Sequence, residues 1–199
     1  MTGAHVVMMA LFTKAWNSLY CAHDLASRGY YGQSLNLVRQ PVEDWASYWY
    51  LRVFPDRWEE FTETSKRTPR FEEMLETIEA ANDKPKDVVV RGWMKRLHKF
   101  SHVDSFSVRV AVQVGDEGSV HYRLGPEPQE WPFRYCTSES IAIIGVILEA
   151  IDNFLRLIGR PTDVGPQGYL GRVIAWQKEQ ARDNPQHEDE LAEALAQDD

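Results

Sequence analysis

The residues best suited to chemistry lie in one short stretch, Arg91-Gly-Trp-Met-Lys-Arg-Leu-His-Lys-Phe-Ser-His102. It carries Arg91, Lys95, Arg96 and Lys99 and two imidazoles, His98 and His102, in a chain of formal net charge -8. A phosphodiester needs that combination: a cation to hold the phosphate and an imidazole to move a proton near neutral pH. On this reading His102 is the catalytic base or acid, Arg96 the phosphate clamp, and Lys95, Lys99 and His98 bind substrate. The plainer reading is a helix C-terminus, whose unpaired carbonyls favour positive side chains. At about 100° per residue, His98 and His102 share a helix face, while Arg96 and His102 lie about 120° apart. They converge only if the helix ends or bends before His102, and the Ser101-His102-Val103-Asp104 junction supplies such an ending. His98 and His102 also have the i, i+4 spacing of metal ligands. Asp104 is the only nearby third ligand, however, and the segment has no Glu to act as the base of a zinc hydrolase. No metal and no cofactor is expected.

A second candidate is Arg39 and Glu43, four apart and flanking Pro41 among apolar and aromatic neighbours. The bland reading is a partly buried ion pair that fixes helix register. The sharper one is that the pair meets the segment around His102 in a polar pocket, where a carboxylate would orient a histidine and raise its pKa. A third is the aromatic group Trp45, Tyr48, Trp49, Tyr50, Phe54, Trp58 and Phe61. It could stack on bases, but its helical spacing favours core packing. The sequence holds no glycine-rich phosphate loop after a strand and no nucleophile elbow.

These residues need elements to hold them. Val7, Leu11, Ala15, Leu19 and Ala22 recur at helical spacing from about Ala4 to Arg28, and Gly29 ends that helix. Leu35, Val38, Val42, Trp45, Trp49 and Val53 predict a second helix over about Tyr31 to Val53, with a kink at Pro41. A short helix should follow at Asp56 to Glu63. Thr68 and Pro69 then look like the cap and first turn of a helix ending near Asn82. The next helix, about Lys86 to Phe100, carries the basic segment. Valines then alternate at 108, 110, 112 and 114, and Val120, Tyr122 and Leu124 alternate after Gly115-Asp-Glu-Gly118. That is a β-hairpin signal. Thr137 or Ser138 should cap a long helix to Ile158, and a final helix should span Gln167 to Arg182. The expected fold is therefore mainly α: a single helical-bundle domain over residues 1–184 with a β-hairpin inserted at about 107–124. An acidic tail, expected to be mobile, occupies 185–199.

With 199 residues, 43% of them hydrophobic and 26% charged, the chain suits one sizeable core. Its acidity argues against nucleic acid coating the whole surface. The N-terminal apolar run lacks a basic leader and a cleavage-like site, so it reads as a buried helix and not a signal peptide. The most apolar segment, Ile141 to Ile158, contains Glu149, Asp152 and Arg156 and is too charged for a membrane span. A cytoplasmic location without membrane contact is expected. Cys21 and Cys136 read as two buried free thiols more readily than as a disulfide.

Leu37-Val38-Arg39-x-x-x-Glu43, the aromatics up to Leu51, and the later Leu97-x-x-Phe100-Ser101-His102 together resemble a group of bacterial helical-bundle domains of unknown function. Those domains carry an Arg-x-x-x-Glu helix and a terminal Ser-His signature, and they are similar to the HEPN superfamily. The run from Arg96 to His102 also matches the HEPN spacing of an Arg, four to six residues, and a His, although Leu97 stands where that family usually has a polar residue. The resemblance covers roughly Ala4 to Asp104 and the helix after Thr137. It implies a dimeric, metal-independent endoribonuclease of toxin or phage-defence type, with His102 activating the 2′-hydroxyl and Arg96 holding the phosphate. Residue chemistry alone favours a non-catalytic binding or regulatory module, holding a protein partner in the bundle groove or on the hairpin. The partner is thus expected to be RNA or a protein, and a homodimer is compatible with both.

Overall fold

In the computed structural model the described residues are 1–83, 88–101, 112–114, 120–122 and 130–160, with 164, 168–169, 171–173, 175–176 and 179 beyond them. They form a mainly helical bundle. Helix α1 (Gly3–Ser27) is capped by Thr2, whose Oγ1 accepts the His5 N–H at 3.4 Å. It stops at Gly29, where φ is 85° and the Tyr30 N–H returns to the Leu25 carbonyl at 2.9 Å. Glycine adopts that left-handed turn without a Cβ penalty. The tight turn lets α2 (Tyr31–Val53) pack along α1 in the largest helix–helix contact of the fold. Helix α2 runs through the buried Pro41, whose missing N–H leaves the Leu37 carbonyl without its intrahelical bond.

A 3₁₀ segment, Pro55–Phe61, follows in place of the expected α-helical turn. Helix α3 covers Phe71–Ala81. Thr68 does not cap it: its Oγ1 donates instead to the Glu60 carbonyl at 3.0 Å. The cap position belongs to Arg70, whose N–H is taken by Glu73 at 2.9 Å. That bond, with Arg67 alongside, holds the Glu73 carboxyl below its ordinary pKa. Helix α4 is Val88–Ser101 and α5 is Glu130–Leu157. The sequence placed the start of α5 at Thr137 or Ser138, but the helix begins earlier, at Glu130. Pro132 in fact sits in the first turn, where a proline costs no hydrogen bond. Thr137 is therefore interior, with its Oγ1 buried and unpartnered among the described residues. Helix α5 ends at Gly159, with φ 69° and the Arg160 N–H on the Leu155 carbonyl at 2.9 Å.

Helix α5 packs on both α1 and α2, while α3 and α4 pack on α2. Helix α2 is thus central, and Leu35, Val38, Val42, Tyr48, Tyr50 and Leu51 are among its core residues. The aromatic group belongs to this core: Tyr48 and Tyr50 are buried, and Trp45, Trp49, Phe54, Trp58 and Phe61 pack against it. Cys136 is buried, but Cys21 is exposed, which corrects the expectation for one of the two thiols; both are free. Cys21 follows Tyr20, which is also exposed.

Two short strands, β1 (Val112–Val114) and β2 (Val120–Tyr122), pair antiparallel with Val112 opposite Tyr122 and Val114 opposite Val120. The rest of the expected 107–124 segment, including its turn, lies outside the described residues. So do the tail at 185–199 and much of the expected final helix. Among the described residues no helix is long and apolar enough to cross a membrane.

Candidate functional site

A cleft of about 1460 Å³ opens between α1, α2, the linker after the 3₁₀ segment, α3 and α4. Its apolar wall includes Val7, Leu11, Phe61, Phe71, Met74 and Met94. Both sequence-derived polar candidates reach it. Arg39 and Glu43 enter from α2, and Lys95 and His98, both exposed, enter from α4 together with Arg91. Arg39 and Glu43 thus line the same cleft as Lys95 and His98, whereas the expected meeting was with the segment around His102. His102, proposed as the catalytic residue, lies outside the described residues, as does the side chain of Lys99.

The cleft's charges are largely satisfied in pairs. Arg39 donates through Nε to Glu43 Oε1 at 3.0 Å, the i, i+4 bond that the sequence implied. Arg91 reaches Glu72 at 2.9 Å and also bonds Glu79, tying α4 to α3 and holding its guanidinium well above the ordinary arginine range. Lys95 and Arg70 line the cleft without an ion-pair partner among the described residues, so a modest excess of positive charge faces its mouth.

Sequence reasoning missed the most constrained group. Asp44 lines the cleft and its side chain is 3% exposed. Lys14 Nζ and Gln40 Nε2 donate to its Oδ1 at 3.1 and 3.2 Å, while Oδ2 has no partner among the described residues. Burial raises its pKa, against the opposing pull of Lys14. The available signal was a second acid directly after Glu43, between Val42 and Trp45 and four residues after Gln40.

Arg96 points elsewhere. Its guanidinium lies 3.7 Å from Glu139 of α5, with side chains 27% and 9% exposed, and its Nε is buried without a partner among the described residues. Buried Tyr135 lies beside this pair, its phenol pKa raised by burial first and then by the Glu139 charge. Arg96 therefore faces the bundle interior, away from Lys95 and His98. Leu97, which departs from the HEPN pattern, is 1% exposed and forms part of the core. Among the described residues no three His, Cys, Asp or Glu side chains cluster as a metal site would require. No family model, no curated protein and no solved structure matches this chain.

Proposed function

We propose that this chain is a non-catalytic binding module that holds a segment of a protein partner in the cleft between α1, α2, α3 and α4. The carrying observation is the cleft itself. At about 1460 Å³ it exceeds the roughly 300–1,000 Å³ of small-molecule sites. Most of its charges pair with one another, as Arg39 does with Glu43 and Arg91 with Glu72 and Glu79. An apolar wall with a polar rim is the anatomy of a groove for a peptide's apolar anchors. The reading includes a β-hairpin inserted over about 107–124 between α4 and α5, supported by the antiparallel pairing of Val112–Val114 with Val120–Tyr122. A selection of random peptides on the purified chain tests it. Recovered peptides should carry apolar anchors and lose at least tenfold in affinity against Met94→Lys or Phe71→Lys. Peptides indifferent to both substitutions would refute the cleft as the site.

A second reading is a HEPN-like, metal-independent ribonuclease acting on RNA, with His102 as its base or acid. It draws support from the exposure of Lys95 and His98 on one side of α4. RNA cleavage that His102→Ala abolishes would favour it. It needs Arg96 as a phosphate clamp, and the orientation of Arg96 toward Glu139 speaks for the binding module.

A further inference from the structure

Helix α1 presents a second surface that the cleft does not explain. Val6, Met9, Trp16 and Tyr20 are 56%, 47%, 55% and 71% exposed, and exposed Thr13 completes the row. The spacings are three, four, three and four, the seam of a helix that packs on another helix. From Gly3 to His23 the only formal charge is Lys14, which turns to Asp44 on α2. The positions flanking the seam, Ala10 and Asn17, are small and uncharged. An isolated surface helix would carry charges there. Trp and Tyr are the side chains most enriched at the centres of interfaces.

We propose that this seam pairs antiparallel with the same seam of a second copy of this chain, forming a two-fold dimer. The side chains choose that occupant. In an antiparallel pair each a position layers with a partner d position, which sets Thr13 against Trp16 and Met9 against Tyr20. Large meets small in the first case, and a thioether meets a ring in the second. A parallel pair would stack Trp16 on Trp16 and leave a gap at Thr13. The area also suits a dimer. At about 150–250 Å² for a large side chain, the exposed parts of the four residues come to about 450 Å² per copy. Two copies approach the roughly 1,000 Å² at which specific interfaces begin once Ala10, Thr13 and Asn17 are added. An interface below about 1,200 Å² belongs with the weak, transient ones, so the dimer should form only at high protein concentration. Because each copy carries -8 while the seam is uncharged, association should tighten several-fold between roughly 0.1 M and 1 M salt, as repulsion is screened. The seam is largely separate from the cleft: Val6 and the flanking Ala10 border both, while Met9, Thr13, Trp16 and Tyr20 do not line the cleft.

Sedimentation of the full chain across a concentration series tests the proposal. Wild type should pass from monomer to dimer, and Trp16→Glu should raise the dissociation constant at least tenfold without lowering the unfolding temperature of the dilute monomer. Register is read by a short bis-maleimide. Thr13→Cys in a Cys21→Ser background lies about 4–5 Å along the axis from its mate and should cross-link. Native Cys21, about 20 Å from its mate, should not. A monomer at every concentration, a dimer indifferent to Trp16→Glu, a Thr13→Cys variant that fails to cross-link, or efficient linkage through Cys21 would each overturn it.

Discussion

Replacing Arg96 separates a structural cation from a phosphate clamp. The Glu139 side chain is 9% exposed and lies 3.7 Å from the Arg96 guanidinium, with buried Tyr135 alongside. Removing Arg96 leaves that carboxylate without its cation in a poorly solvated site. Breaking a fully buried pair costs about 3–5 kcal/mol. Arg96 keeps 27% of its side chain exposed and the contact is long, so about 2–3 kcal/mol is expected here. For a chain of this size that lowers the unfolding temperature by roughly 5–10 °C. Glu139→Gln alone should cost less, because a neutral amide tolerates burial better than a carboxylate. Arg96→Met with Glu139→Gln should recover more than half of the single loss, since the orphaned charge is gone. Urea unfolding of the four species closes the cycle. If Arg96→Met alone costs under about 0.5 kcal/mol, or the two substitutions add without coupling, Arg96 is not held by Glu139 and stays free to act as a clamp.

Asp44→Asn should stabilise the protein at neutral pH. The folded-state pKa of Asp44 is raised, so its contribution is greatest below the ordinary carboxylate range and is lost as pH rises through the folded value. The advantage of the Asn variant in thermal unfolding should therefore be largest near pH 7 and shrink toward pH 4; an advantage independent of pH would contradict the assignment. Thiol labelling of the native protein should modify Cys21 quickly. Cys136, buried and pushed up to about 12, should react only on unfolding, which mass spectrometry of the labelled peptides would show. Gly92 sits inside α4, and a Cβ there meets nothing within 4 Å. Gly92→Ala should thus add about 0.5–1 kcal/mol, read as a higher urea midpoint.

Helices α1 and α2 are legible in the sequence because their apolar residues keep a 3.6-residue period over more than six turns and Gly29 separates them. The terminators are legible for the same reason, since only glycine takes the positive φ at positions 29 and 159 without strain. Local cues misled where two residue types compete for one job. Thr68-Pro69 resembles a cap and first turn, yet the Thr68 hydroxyl finds the Glu60 carbonyl and Glu73 supplies the capping bond. Thr137-Ser138 resembles a cap, yet α5 begins at Glu130 with Pro132 in its first turn, where proline is admissible. The Arg39–Glu43 bond was readable because both ends lie on one helix. Lys14–Asp44 was not, because its ends are thirty residues apart and meet only when α1 packs on α2. Cys21 was misplaced because an apolar neighbourhood in sequence does not reveal which side of a helix is covered.

The basic segment shows why counting charges along a chain misjudges a site. On a helix turning about 100° per residue, Arg91, Lys95 and His98 fall within about 60° of one another, while Arg96 lies about 160° from His98. The structure distributes them accordingly. Arg91, Lys95 and His98 line the cleft, and Arg96 turns to Glu139 beside the core residue Leu97. One stretch thus contributes to two environments, a solvated rim with Arg91 and Lys95 and a bundle interior with Arg96. The same geometry explains why α1 was read as simply buried. Its inward face, Ala4, Met8, Ala15, Leu19 and Ala22, satisfies the core, and the apolar residues left over fall on the opposite side at seam spacing. A helix that buries one apolar face and retains a second, uncharged one is built for two neighbours, and among the described elements α2, α5 and the 3₁₀ segment account for only the first.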